Sequence, residues 1–259
     1  MDELRGAGIP FHEAVTLLAW AMDCDAGEVL LREPAPEQLA RYRSAVGVRK
    51  TGFPLQYLTG EAFFRTVRVE VGPGVFIPRP ETEVLVGWAL RHLAPGDTVV
   101  ELCAGSGAIS LALAAEGPGC RQYAVEVDEV AYEYAVRNLA GTGVDVRLGD
   151  MAGAFLELDG SVDLVIANPP YIPAGAEVPP EVRHEPERAL FAGPDGRDAI
   201  AVVATVAARL LKPGGILVFE HAEGNGGLEA PEFCDVQTLA DLAGRPRFTT
   251  ARSVVAINP

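Results

Sequence analysis

The sequence predicts an α/β protein in which a mostly parallel sheet follows a small N-terminal helical domain and a β-hairpin. Three observations carry this. From Thr98 onward, short β-branched runs alternate with helical stretches, as in a parallel sheet covered on both faces. Residues 1–58 are rich in Ala, Leu, Glu and Arg, with apolar positions at helical spacing. Between the two lies a stretch of β-formers interspersed with charges. A chain of 259 residues holds one main domain and a small accessory one.

In the first segment Ala14, Leu17, Leu18 and Ala21 share one helical face, and Leu39, Tyr42 and Val46 another. Pro34 and Pro36 separate the two helices, and such a proline suits a first turn. From Pro54 to Val75 the residues Phe63, Phe64, Val67, Val69 and Val71, with the turn Gly72-Pro73-Gly74, read as a hairpin. The boundaries are therefore a helical domain at 1–58, a hairpin linker at 59–78 and the main domain at 79–259. In that domain a helix is expected at Val84–His92, with Pro80, Glu81 and Glu83 at its start. The expected parallel strands are Val99–Leu102, Tyr123–Glu126, Val144–Leu148, Val162–Ala167 and Ile216–Glu220. Helices Ile109–Ala115, Val130–Leu139 and Ala199–Leu211 connect them, and Asp235–Asp241 and Arg247–Ile257 form a last antiparallel pair.

Composition narrows the function. Hydrophobic content of 49% with 22% charged residues is that of a globular protein. The net charge of −15 provides no basic footprint for nucleic acid and suits a basic partner. Cys24, Cys103, Cys120 and Cys234 are dispersed, as are the four histidines, so no metal site and no disulfide framework is expected. No apolar run reaches the length of a membrane span and no secretory signal is visible, so the expectation is a cytoplasmic enzyme without membrane attachment.

Two stretches carry chemistry. Asn168-Pro169-Pro170-Tyr171 follows the apolar run Val162–Ala167, and two prolines cannot continue a strand in mid-sheet. The chain must leave the sheet there, with little freedom in where Asn168 and Tyr171 point; the alternative is an ordinary strand exit. Glu101-Leu102-Cys103-Ala104-Gly105-Ser106-Gly107 joins the first strand to a helix, at the end of an α/β sheet where ligands sit. It lacks the third glycine of a dinucleotide fingerprint and is no phosphate loop of the Walker type. Glu126, at the end of the next strand, suits two ribose hydroxyls. After the third strand, Asp150 can accept from an adenine amino group and Met151 can pack on the ring. Each alone is more readily a surface carboxylate or a core methionine; together they line one crevice and point to an adenosine ligand.

With these pieces assembled, the chain resembles the HemK/PrmC family of release-factor glutamine methyltransferases. The resemblance rests on Pro54–Gly60, Gly74–Glu83 with its Ile77-Pro78-Arg79-Pro80-Glu81-Thr82, the Glu101–Gly107 turn, Asn168–Tyr171, and His184-Glu185-Pro186 leading to Ala189–Gly193. It implies a Rossmann-like class I methyltransferase domain that uses S-adenosylmethionine. The substrate it implies is the glutamine of the Gly-Gly-Gln motif in class 1 peptide chain release factors. Glu101, Cys103, Ala104, Gly105, Ser106, Gly107, Glu126, Asp150, Met151 and Asn168 would line the cofactor. Asn168, Pro169, Pro170 and Tyr171 would hold the glutamine side chain. Two features depart from the family pattern. Cys103 stands where the family has a glycine, and the segment between His221 and Phe233 is too short for the usual helix before the last strands. Other readings are a related enzyme acting on a different protein's glutamine, and a methyltransferase for amino groups of nucleic-acid bases, which share N-P-P-Y. A third is a cofactor-binding regulatory module without catalysis.

Overall fold

The computed structural model describes Leu4, residues 6–228 and residues 230–254, and divides them into two compact units. The first unit takes in the chain up to Glu61, together with Val71–Pro73 and Val178–His184. It is built on α1 (Phe11–Met22), α2 (Pro36–Arg49) and the short α3 (Leu55–Thr59). Ala14, Leu17, Leu18 and Ala21 of α1 are buried with Tyr42 and Val46 of α2, and Leu55 and Leu58 of α3 pack against them. Pro36 occupies the first turn of α2, where the Gln38 side chain accepts from the Ala35 N–H at 2.9 Å. The expected hairpin is shorter than Pro54–Val75: Leu55–Thr59 is helical, and Gly60 closes that helix in a left-handed conformation.

The second unit opens with the hairpin β1 (Glu61–Phe64) and β2 (Val67–Glu70), then α4 (Pro80–Leu90). The strands and helices that follow are β3 (Thr98–Leu102), α5 (Ala108–Glu116), β4 (Arg121–Glu126), α6 (Glu129–Asn138), β5 (Asp145–Leu148) and β6 (Val162–Ala167). Next come α7 (Glu187–Leu190), α8 (Asp198–Leu210), β7 (Leu211–Glu220), β8 (Phe233–Ala240) and β9 (Pro246–Ser253). Arg65 of the hairpin donates to both oxygens of Glu116 on α5, at 3.0 and 2.6 Å, and to the Glu83 carbonyl on α4 at 2.9 Å. Asn138 at the end of α6 exchanges hydrogen bonds with the Glu70 backbone and donates to the Ser106 carbonyl at 2.9 Å.

The sheet runs β5-β4-β3-β6-β7-β9-β8, with β3 to β7 parallel and the last two strands antiparallel. Ile200, Val203, Ala204, Ala207 and Leu210 form one stripe of α8 and pack with Val165, Leu217 and Phe219 of the sheet. β7 begins at Leu211, five residues before the expected Ile216, because Leu211 still pairs with Val162 before the register shifts. β9 ends at Ser253; residues 255–257 of the expected last strand lie outside the described residues. Among the described residues no helix is long and apolar enough to cross a membrane.

Among the described residues of the first unit, Arg49 forms an ion pair with a largely buried carboxylate. Arg49 donates to both Glu13 oxygens, at 2.7 and 2.9 Å, and to Glu181 at 3.2 Å. The Glu13 side chain is only 11% exposed, so removing its partner strands a charge away from water. Arg49→Met should cost about 3–5 kcal/mol of unfolding free energy, and the added change Glu13→Gln should return much of it. Chemical denaturation of the single and double variants measures both.

Candidate functional site

Parallel pairing sets the site. Leu102 of β3 lies opposite Val125 of β4 on one side and Ala167 of β6 on the other. The chain order reverses between β3 and β6, and the crevice beyond the carboxyl ends of those strands is where such sheets bind ligands. The Cys103–Gly107 loop therefore emerges beside both Glu126 and Asn168. Ala167 also lies opposite Phe219 of β7, which brings Glu220 next to Asn168.

The loop is stitched to β4. The Ala104 N–H donates to the Val125 carbonyl at 3.0 Å, and the Gly105 N–H donates to Glu126 Oε2 at 2.7 Å. Glu126 Oε1 accepts from the N–H groups of Val127 and Asp128, both at 2.8 Å. Three donors thus orient the carboxylate, and each oxygen keeps lone pairs for further donors such as ribose hydroxyls. Gly105 has φ +56°, and a side chain built on it would point into open space, so there is room for a ligand above the loop. Gly107 has φ +77°, a torsion that disfavours any side chain, and a Cβ there would press on Leu139 at 2.9 Å. Ser106 is buried and its carbonyl is the group that Asn138 holds.

Cys103 is also left-handed, at φ +60°, and its Sγ lies 3.7 Å from Met151 Sδ. Burial, followed by the nearby acidic groups of Glu126, Glu101 and Asp150, pushes its thiol pKa up. Asp150 is exposed and caps the turn that follows, accepting from the Ala152 N–H at 2.9 Å. Glu126, Cys103 and Met151 are thereby gathered around the loop. Glu101 lies beneath it, fully buried: its Oε2 accepts from Ser110 N at 2.9 Å and from the Ser110 hydroxyl, at the start of α5.

At the end of β6, Asn168 Nδ2 donates to Thr82 Oγ1 at 3.2 Å. Thr82 Oγ1 donates to Glu220 Oε2 at 2.6 Å, and the Tyr171 hydroxyl donates to Glu220 Oε1 at 2.9 Å. Pro169 is buried and Pro170 half-buried. Asn225 Nδ2 braces the Tyr171 carbonyl at 3.3 Å, and the neighbouring Ile172 pairs with Leu190 and Ala192. Gly196 lets the chain pass close by, since a Cβ there would meet the Tyr171 carbonyl oxygen at 2.2 Å. Glu185 accepts from the Ile77 N–H at 3.1 Å and pairs with Arg79, anchoring the stretch that leads into α4.

Thr82 and Glu220 were not among the expected site residues. Thr82 reads in sequence as part of a helix start, and Glu220 as the last residue of a strand. The available signal for Glu220 was its position, since it ends a parallel strand as Glu126 does.

Comparison with known proteins adds the family. The PrmC N-terminal domain matches residues 1–60, and the methyltransferase small domain matches residues 73–185. The release factor glutamine methyltransferase of Streptomyces coelicolor is 46% identical, over 98% of this chain and 95% of that protein. That of Mycolicibacterium smegmatis is also 46% identical, over 96% and 92%. Among solved structures, the putative methyltransferase yhhF from Escherichia coli is 17% identical with a TM-score of 0.51. It is covered along 100% of its length by 76% of this chain, a likeness of fold.

Burial pushes the Glu101 carboxyl up from 4.5 to about 8, against the lowering effect of its two bonds from Ser110 and with a further rise from Glu126. The folded acid keeps its proton to about pH 8, while the unfolded one loses it near 4.5. Wild-type stability should therefore fall as pH rises across that interval. Glu101→Gln has no such proton to lose, so its stability relative to wild type should climb over the same interval, by on the order of a few kcal/mol. Thermal unfolding of both proteins across that range measures the difference.

Proposed function

This chain belongs to the release factor glutamine methyltransferase family, and from that premise we propose that it methylates the side-chain amide nitrogen of a glutamine in a peptide chain release factor. The observation that carries the reading is the Asn168 amide, held at the carboxyl end of β6 beside the Glu126-bound loop, with its Nδ2 already occupied. The glutamine is that of the Gly-Gly-Gln motif, and the enzyme works in the cytoplasm, where release factors act.

S-adenosylmethionine supplies a methyl group activated by its sulfonium. Glu126 would hold its ribose and Cys103–Gly107 would line it, with Met151 packed on the adenine and Asp150 accepting from the amino group. The open space over Gly105 and the tethered Glu126 carboxylate fit such a ligand. Glu101, protonated and tied to Ser110, supports the loop from below.

A primary amide nitrogen is a weak nucleophile because its lone pair is delocalised into the carbonyl. No strong base is useful, since its N–H is too weakly acidic. Orientation is what the protein contributes. Asn168 Oδ1 and the Pro169 carbonyl each accept one amide N–H, which aims the nitrogen and favours its pyramidalisation. The fixed torsions of Pro169 and Pro170 keep both acceptors preorganised. Tyr171, its phenol kept protonated by burial and by Glu220, forms the wall against the flat amide. Holding reactants in such a pose is worth on the order of 7–11 kcal/mol.

The N-terminal domain, 1–58, docks the release factor, with 59–78 as linker and 79–259 as the catalytic domain. Glutamine is small and common, so selectivity for one residue must come from contacts remote from the chemistry, and that binding energy also aligns the amide.

Intact-mass measurement of unmodified release factor, incubated with enzyme and S-adenosylmethionine, should show a gain of one methyl group. No gain, with cofactor demonstrably bound, would remove the proposal. Methyl incorporation into bulk RNA or DNA would favour the nucleic-acid reading instead. Asn168→Ala should leave cofactor affinity largely intact and lower the single-turnover rate by about 10²–10³. Calorimetry alongside rapid-quench kinetics separates the two effects.

A further inference from the structure

Glu220 ends β7 with its side chain almost fully buried, and each of its oxygens is taken by a hydroxyl, from Thr82 and from Tyr171. Thr82 is itself only 3% exposed. A hydroxyl has one proton to give. Having given it to Glu220, Thr82 Oγ1 offers only lone pairs, so Asn168 must approach it with Nδ2. The remaining acceptor of the Asn168 side chain, Oδ1, is then the group left for a ligand. An asparagine amide has nearly the same shape either way round, and packing alone does not choose between them.

We propose that Glu220 and Thr82 are positioning residues that lock Asn168 with Oδ1 as the presented acceptor, so that the site takes a carboxamide and rejects a carboxylate. A carboxamide brings N–H donors to that oxygen, whereas an ionised carboxylate brings only acceptors and meets repulsion. The inference rests on the glutamine reading above and adds what makes the site choose glutamine over glutamate. The direction of the chain of bonds depends on Glu220 accepting at both oxygens. Burial leaves its carboxyl pKa raised on balance, with Glu81 adding to the rise and the Thr82 and Tyr171 hydroxyls and then Arg247 opposing it; the acceptor role rests on the geometry, since each oxygen faces a hydroxyl. A neutral amide at this position would have to donate to one of the two hydroxyls. If that is Thr82, its proton is free to turn to Asn168, and the asparagine can reverse.

The test uses the full-length enzyme as wild type, Thr82→Val, Thr82→Ser, Glu220→Gln and Glu220→Leu. Each meets two forms of intact release factor, one with the target glutamine and one with glutamate in its place. Dissociation constants are measured with S-adenosylhomocysteine present, and single-turnover rates on the glutamine form. Thr82→Val should bind the glutamate form about tenfold more tightly than wild type does, and should methylate the glutamine form about tenfold more slowly. Glu220→Gln should move both quantities the same way when its amide nitrogen faces Thr82, and Thr82→Ser, which keeps the hydroxyl, should retain the wild-type values of both. A gain in binding the wrong substrate is not produced by mere loss of structure. If Thr82→Val gains no affinity for the glutamate form while wild type methylates glutamine, the inference is overturned and the function stands. If wild type methylates no release factor, the function and this inference fall together. Thr82→Val decides where it folds, and where it does not, Glu220→Leu, which can neither accept from Thr82 nor donate to it, decides by the same two readouts.

Discussion

The parallel pairing of β3 with β4 on one side and β6 on the other is the constraint from which the site follows. It places three strand ends in register, at Leu102, Val125 and Ala167. The residues just beyond them become neighbours although the chain separates them widely. The Gly105 N–H reaches Glu126 because β3 and β4 end together. Asn168 reaches Thr82, and Thr82 reaches Glu220, because β6 and β7 end together and α4 begins beside them. A slip of one register step would turn every side chain of a strand to the other face, so the observed register is what keeps these strand-end residues together.

Much of this was legible because it is local. Short apolar runs between turn residues marked all five parallel strands, and the two prolines after Ala167 marked the exit where Asn168 stands. The acidic residue that ends β4 was legible as well, since its position relative to the loop follows from the α/β repeat. What escaped was long-range. Thr82 and Glu220 are separated by most of the second unit, and nothing in either one's neighbours tells that a hydroxyl and a carboxylate meet at 2.6 Å. The short helix Leu55–Thr59 escaped because Phe63–Val71 dominates its surroundings with β-forming residues. The early start of β7 escaped because Pro213 and two glycines read as a turn, although Leu211 still pairs with β6.

The segment between His221 and Phe233 carries no helix among its described residues, as its length suggested. The consequence is visible in the last two strands. β9 buries Phe248, Thr249, Thr250 and Ala251 on both faces, whereas in β8 most side chains between Cys234 and Ala240 are exposed. An uncovered edge strand is a template for pairing with another chain. Here the pairing between Cys234 and Gln237 is interrupted, and Asp235 takes a left-handed φ of +52°. A bulge and a charge at that point spoil a continuous edge, which is how such strands are kept from pairing further. In place of helical cover, the segment packs its own polar groups inward: buried His221 and Thr249 share a 3.0 Å contact, and Thr249 donates to the Gly226 carbonyl at 2.8 Å.

Cys103 is the other departure, and its environment shows how a side chain is accommodated where glycine is natural. A left-handed conformation costs an L-residue about 1–2 kcal/mol, and the neighbouring left-handed positions, Gly105 and Gly107, avoid that cost. Cys103 is held in it from both sides: the next residue's N–H is bonded to β4, and its own sulfur rests against Met151. Cysteine is also chemically suited to the place. Burial and the nearby acidic groups keep the thiol neutral, so it adds no charge beside the Glu126 carboxylate, and a soft sulfur packs on a soft sulfur. A larger residue would fill the crevice, and a β-branched one would resist the torsion. The loop therefore keeps its left-handed turn, while the Cys103–Met151 contact adds a link between the turn after β3 and the turn after β5.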